Sequence, residues 1–190
     1  MKLVYIHGAS ATGDSFNYIR EHIVYDNEEV IEYSSQNGFA RNLELMKRTL
    51  KGKDQLFFIS HSLGGIYSLN LANHFASRTI GGISISTPYG GCREADYAKY
   101  FLPFNKLMRD VGTHSKPIVE TNKLPISHPW CNIVTTKGES HWIIEPNDGV
   151  VTIASMRHRS DMDLIELPHN HYEVVLCPDV IEVIKDRLPK

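Results

Sequence analysis

Short apolar runs rich in β-branched and aromatic residues recur along the chain at 3–6, 30–33, 55–60, 79–86, 131–136 and 163–167, and they predict six strands. Leu56-Phe57-Phe58-Ile59 and Ile80-Gly81-Gly82-Ile83-Ser84-Ile85 hardly alternate between apolar and polar positions, as expected of parallel strands covered on both faces. Helical spacing appears between them. Leu43, Met46 and Leu50 fall on one face of 39–50, Leu69 and Leu71 lie within 64–76, and Val180, Val183 and Ile184 stripe 179–188. Strand followed by helix, repeated, implies an α/β chain with a mostly parallel sheet of about six strands flanked by helices, joined by right-handed crossovers.

The rhythm breaks once, over residues 88–129. Pro88, Pro103, Pro117, Pro125 and Pro129 divide this stretch, which carries the aromatic text Tyr97-Ala98-Lys99-Tyr100-Phe101-Leu102. No strand is predicted there. A connection this long between core strands is usually functional, and it is expected to hold one or two short helices as a cap or lid over a site. At 190 residues the whole is read as a single domain, 1–190.

Composition narrows the function classes. Hydrophobic residues make up 42% of the chain, which suits a globular core and excludes disorder. Lys and Arg number 20 against 22 Asp and Glu, a net charge of −2. Runs such as Met156-Arg157-His158-Arg159 fall short of the basic face that nucleic acid needs, so no nucleic-acid partner is expected. Four apolar residues, Leu3 to Ile6, precede the first polar turn, too few for a secretion signal or a membrane span. Cys92, Cys131 and Cys177 are odd in number, widely spaced and without a Cys-x-x-Cys pattern, which points to reduced thiols in the cytoplasm. No cofactor and no metal site are expected. His169 and His171 are the closest approach to a metal pair, and no third ligand stands at a suitable spacing.

The strongest chemical signal is Ser60-His61-Ser62-Leu63-Gly64-Gly65, where a strand runs into a helix through small residues. A nucleophile elbow needs small residues two before and two after its serine, because neighbouring backbone passes close by; Ser60 and Gly64 meet that need around Ser62. The plainer alternative makes Ser62 an N-cap of the following helix. After the first strand, His7-Gly8-Ala9 offers an amide for an oxyanion hole, so the donors would be the N–H groups of Ala9 and Leu63. Gly8 to Ser15 also matches the spacing of a phosphate loop, but Asp14 stands at the lysine position and would repel phosphate. Downstream, Asp148 lies in a Pro/Asn/Gly turn beyond a strand, with Glu145 as the fallback acid. His169 and His171 follow the last strand, and either could complete the order Ser, Asp, His.

With these pieces in order, the chain resembles the α/β-hydrolase superfamily, in particular small bacterial lipases and esterases. Ser86-Thr87-Pro88-Tyr89-Gly90-Gly91 is similar to the turn that follows the strand after the elbow in such enzymes, and 171–180 is similar to their His-x-x-Leu-Leu-x-x-Pro-x-Val ending, which selects His171 over His169. Ser60 departs from the usual first glycine of the elbow, and 88–129 exceeds the matching stretch of the smallest lipases.

The resemblance implies a minimal α/β-hydrolase fold and a carboxylic-ester hydrolase. Ser62 attacks, His171 takes its proton, Asp148 orients the imidazole, and Ala9 and Leu63 hold the oxyanion. The substrate would be a small-molecule ester or a lipid, its acyl part lined by Tyr89, Tyr97, Phe101, Leu102 and Phe104 of the insertion. An acyltransferase or thioesterase would use the same residues. A silent interaction module on the same fold is the remaining class.

Overall fold

The computed structural model describes residues 1–93, 95 and 106–189, apart from the Met108 side chain. Tyr97, Phe101, Leu102 and Phe104 lie outside the described residues.

Six strands form one sheet: β1 (Lys2–Ile6), β2 (Glu28–Ile31), β3 (Leu56–His61), β4 (Thr79–Ile85), β5 (Trp130–Thr135) and β6 (Asp163–Leu167). Their order is β2-β1-β3-β4-β5-β6, and every pairing is parallel. Each strand was anticipated, with its ends within two residues of those observed. Seven α-helices are described: α1 (Asn17–His22), α2 (Phe39–Thr49), α3 (Leu63–His74), α4 (Lys106–Val111), α5 (Lys116–Lys123), α6 (Ile153–Met156) and α7 (Pro178–Arg187). The sequence pattern does not announce α1, because it is six residues long and buries Ile19 alone. Within 88–129 the described helices are α4 and α5.

Side chains alternate between two apolar layers, one on each face of the sheet. Val4, Ile6, Leu56 and Phe58 point into the layer filled by Met46 of α2, Ile66 and Leu69 of α3 and Ile118 of α5. Leu3, Tyr5, Phe57 and Ile59 point the other way, against Ile19 of α1 and Val180, Ile181 and Ile184 of α7. The central strand β3 is buried along its whole length, whereas the edge strand β6 is largely uncovered and carries Asp163 and Glu166, which disfavour pairing with another sheet. α3 has no polar face, since nine of its twelve residues are buried between the sheet and neighbouring helices.

The strand order reverses between β1 and β3. The chain runs from β1 out to the edge at β2, crosses back to β3, and then proceeds in the opposite direction to β6. In open parallel sheets such a reversal leaves a crevice at the carboxyl ends of the two strands concerned. Here those ends lead into Ala9 and Ser62.

Candidate active site

β3 ends at His61 and α3 begins at Leu63, so the change of direction falls on Ser62, at φ 52° and ψ −124°. An L-residue held in this region costs about 1–2 kcal/mol, so its surroundings must impose the conformation. The Ser62 N–H donates to the Ile85 carbonyl at 2.8 Å, and Thr87 Oγ1 donates to the Ser62 carbonyl at 3.0 Å. Gly64 passes so close to β1 that a Cβ would lie 2.1 Å from the Ile6 carbonyl oxygen. At Gly65 a Cβ would lie 2.0 Å from Thr87 Oγ1. The small residues after the serine are therefore a packing requirement. Ser60, where a glycine is usual, is fully buried, and its hydroxyl is satisfied at 2.9 Å from Ser68 Oγ. The Ser62 hydroxyl makes no capping hydrogen bond to α3, in contrast to the N-cap alternative raised by the sequence.

Three non-glycine residues among those described have positive φ, and all are serines just beyond carboxyl ends of adjacent strands: Ser10 after β1, Ser62 after β3 and Ser86 after β4. Backbone strain of this kind concentrates at functional sites.

Asp148 and His171 meet at the same end of the sheet. The His171 Nδ1–H donates to Asp148 Oδ2 at 2.7 Å, and the His171 N–H donates to the Asp148 carbonyl at 3.0 Å. With Nδ1 carrying the hydrogen, the Nε2 of the neutral imidazole is an acceptor. Asp148 is fully buried. Its Oδ1 receives the N–H groups of Val150 and Val151 at 3.0 and 2.8 Å, and its Oδ2 receives Thr135 Oγ1 at 2.5 Å. Burial pushes the Asp148 carboxyl up, but the hydrogen bonds from His171, Thr135 and Val151, with the charge attraction of His171, outweigh it and hold the carboxyl below its ordinary range. Thr135 has one hydrogen to give, so Ser86, 2.8 Å away, donates to Thr135 in turn.

His61 lies beneath this pair. Its Nε2–H donates to the His171 carbonyl at 2.8 Å, and the two rings are 4.8 Å apart between centroids. Burial, reinforced by His171, pushes the His61 imidazole down to about 3, so it is neutral at ordinary pH. The loop after β1 is braced separately: His7 Nδ1–H donates to the Gly8 carbonyl at 2.8 Å, its ring stacks on Tyr33, and the Tyr33 hydroxyl donates to the His7 carbonyl at 2.9 Å. Leu63 supplies the first amide of α3, one of those with no acceptor in the helix itself.

The other sequence candidates sit elsewhere. His169 Nε2 faces Asp179 of α7 at 2.9 Å. Glu145 pairs with Arg93 at 2.9 Å, outside the Asp148 cluster. The Gly13 amide donates to Glu32 Oε1 at 2.7 Å, so a carboxylate occupies part of the segment whose spacing matched a phosphate loop. Tyr89, expected in an acyl pocket, is instead fully buried with its hydroxyl donating to Ser84 Oγ at 3.0 Å, and presents no surface to a ligand. The reason is that the Tyr89 ring belongs to the same buried core cluster as Trp130.

Sequence reasoning missed Thr135, Ser86, His61 and Gly138 as parts of the site. A Cβ on Gly138 would lie 2.1 Å from the Asp148 carbonyl carbon, so this glycine lets two loops touch behind the carboxylate. The signal available for His61 and Ser86 was their place within recognised motifs. Thr135 reads as an ordinary β-branched strand residue, and Gly138 as an ordinary loop glycine.

Two cavities flank Ser62. One, of about 310 Å³, is walled mainly by apolar side chains, among them Leu63, Pro88, Leu107, Val111 and Val151. The other, of about 370 Å³, contains His171, Tyr172, Ser10 and Ser15. Ala9, Ser62, Leu107 and Val150 belong to both. Among the described residues, no cluster of three or more His, Cys, Asp or Glu side chains is arranged for a metal ion, and no helix is long and apolar enough to cross a membrane.

No family model and no curated protein sequence matches the chain. Solved structures do match it. The mature form of the lipase BlEst2 from Bacillus licheniformis superposes with a TM-score of 0.73 at 16% identity, covering 97% of this chain and 90% of that one. A hydrolase of the α/β superfamily from Oenococcus oeni superposes at 0.64 and 12%, covering 97% and 90%. The chain has the α/β-hydrolase fold. The Vlm2 thioesterase domain is a further match, at a TM-score of 0.64 and 14% identity, covering 99% of this chain and 97% of that one. At such identities the likeness concerns backbone architecture alone.

Proposed function

We propose that this α/β-hydrolase cleaves carboxylic esters through an acyl-enzyme on Ser62. The observation that carries the reading is the buried Asp148–His171 hydrogen bond, 2.7 Å long, which leaves His171 Nε2 as an acceptor in the cavity that also contains Ser62. His171 takes the Ser62 proton as Oγ attacks the ester carbonyl. The resulting oxyanion is held by the Ala9 and Leu63 amides. His171 then passes its proton to the departing alcohol, and water repeats the sequence in reverse on the acyl-enzyme. Asp148 stays ionised throughout, fixing the tautomer and offsetting the charge of the imidazolium. The likeness to a lipase and to other hydrolases supports this class of chemistry. Cysteines that are odd in number and widely spaced favour a reducing compartment such as the cytoplasm.

Transfer of the acyl group to an alcohol or thiol, or cleavage of a thioester, would use the same residues, and the likeness to a thioesterase domain favours keeping that reading. A silent module is disfavoured by the strain retained at Ser62 and the fully paired Asp148. Nitrophenyl esters of graded chain length test the proposal. Turnover is expected in the wild type and should fall at least about 10³-fold in Ser62→Ala. A variant within tenfold of wild type would overturn it. Adding an alcohol or thiol during turnover separates hydrolysis from transfer, since a transferase forms a new ester or thioester in preference to the free acid.

A further inference from the structure

A second arrangement of nucleophile, imidazole and carboxylate stands apart from Ser62. The His169 Nε2–H donates to Asp179 Oδ2 at 2.9 Å, which leaves Nδ1 as the acceptor nitrogen of the neutral ring, and Nδ1 lies 3.4 Å from Cys177 Sγ. The order is that of a thiol, a base within its reach and a group that orients the base. The thiol has one hydrogen to give and two acceptors for it, His169 Nδ1 and the Glu173 carbonyl at 3.1 Å. Cys177 and Asp179 face opposite nitrogens of one ring, so the three side chains cannot converge on a metal ion.

The cluster is open to solvent. The side chains of His169 and Asp179 are 22% and 55% exposed, Cys177 is partly exposed and its neighbour Leu176 is exposed, whereas Cys131 is buried. Partial burial, with the negative charges of Asp179 and Glu173, holds the Cys177 thiol above its ordinary range. At neutral pH it therefore keeps its hydrogen, and attack by the sulfur requires a base to remove it. His169 is placed to do so.

Cys177 also closes the segment that carries His171. Asn170 Oδ1 receives the N–H groups of Tyr172 and Glu173 at 3.0 and 2.8 Å, the Asn170 carbonyl receives the Val174 N–H at 3.3 Å, and the Cys177 N–H donates to the Val174 carbonyl at 3.3 Å. His171 lies within this folded segment. A substituent on Cys177 Sγ must displace the sulfur from His169 and Glu173, and so strains the segment that positions His171.

We propose that Cys177 is a site of reversible S-thiolation by small disulfides without negative charge, with His169 as base and Asp179 as its orienting partner, and that the adduct slows ester turnover. The last clause rests on the acyl-enzyme reading above. The Cys177 hydrogen passes to His169 Nδ1 as the sulfur attacks one sulfur of the disulfide R–S–S–R. The new Cys177–S–S–R bond forms, the old S–S bond breaks, and the departing thiolate takes the proton from His169. Cys177 is oxidised and half of the disulfide is reduced to R–SH; added thiol reverses the exchange.

2-Hydroxyethyl disulfide is the probe. Peptide mass analysis gives the labelling rate at Cys177, divided by the rate at the same peptide in urea-unfolded protein. Wild type should react faster at Cys177 than at Cys92 or Cys131. His169→Ala should slow the Cys177 reaction at least about tenfold. Asp179→Asn should slow it severalfold, although loss of a neighbouring charge alone would speed it. Dithiodipropionate, an anionic disulfide, should react at least about fivefold more slowly on the same scale. The modified enzyme should lose at least about threefold in kcat on a nitrophenyl ester and recover it with dithiothreitol, while Cys177→Ser keeps its activity in the disulfide. Undiminished labelling in His169→Ala, faster labelling in Asp179→Asn, a principal adduct on another cysteine or an equal rate with the anionic disulfide would overturn the site. Full turnover by fully modified enzyme would overturn its link to His171. Labelling is read by mass and should be unchanged in Ser62→Ala, so failure of the acyl-enzyme reading is separate and would appear as turnover retained in that variant.

Discussion

His61 donates its Nε2 hydrogen to the main-chain carbonyl of His171, 2.8 Å away. One residue before Ser62, it ties the elbow to the loop after β6. It is buried, and a Cβ on Gly8 would lie 3.0 Å from its Nδ1, so the ring also abuts the loop after β1. One imidazole thus touches three of the segments that meet at the candidate site, the elbow and the loops after β1 and β6. In the proposed mechanism it is a positioning residue.

His61→Leu keeps the volume and removes the donor. It is expected to lower kcat about tenfold or more with KM within twofold, because misplacing a reacting group by even ~1 Å can cost ~10²-fold. His61→Gln places an N–H close to the lost Nε2 and should recover most of the rate. Steady-state kinetics of the two variants check this; equal losses in both would contradict the positioning role.

The same residue predicts an acid sensitivity. An unfolded His61 titrates near 6.5 and the folded one near 3, so between these values the unfolded chain binds more protons. Its contribution to stability is complete above pH 6.5 and declines as the pH falls towards 3, at up to ~1.4 kcal/mol per pH unit. Between pH 7 and pH 5 wild type should therefore lose ~2 kcal/mol that His61→Gln does not lose. Urea unfolding at the two pH values measures the difference, and identical losses in both proteins would refute it.

Much of the fold was legible because parallel strands buried on both faces leave continuous apolar runs, and 56–59 could hardly be anything else. The helix α1 was not, since a six-residue element with one buried side chain has no periodicity to detect. At the site, Ser62 was visible through the close approaches that exclude side chains at Gly64 and Gly65, which the sequence must record. The supports were not: the Thr135 hydroxyl matters through a neighbour thirteen residues away, and Gly138 through a loop it touches only after folding. Tyr89 misled because an aromatic next to a proline-rich insertion looks the same in sequence whether its ring faces a ligand or the core.

Thr135→Val tests the buried relay behind the carboxylate. It removes the 2.5 Å bond to Asp148 Oδ2 and leaves Ser86 Oγ without that partner. Bonds to charged groups are worth ~1.5–3 kcal/mol, so about a tenfold loss in kcat is expected together with a lower melting temperature. Activity equal to wild type would show that Thr135 does not support Asp148.

The two histidines after β6 separate cleanly. His169 faces Asp179 at 2.9 Å, so His169→Ala should leave kcat/KM within about threefold of wild type. His171→Ala should cost at least about 10³-fold. Assays of both variants on one nitrophenyl ester decide the matter, and a larger loss at position 169 would contradict the assignment.

The most direct test of Ser62 as nucleophile is covalent. Treatment with a fluorophosphonate followed by peptide mass analysis should place one adduct on the peptide containing Ser62, with none formed in Ser62→Ala and slower labelling in His171→Ala. An adduct on another residue, or undiminished labelling of Ser62→Ala, would contradict it.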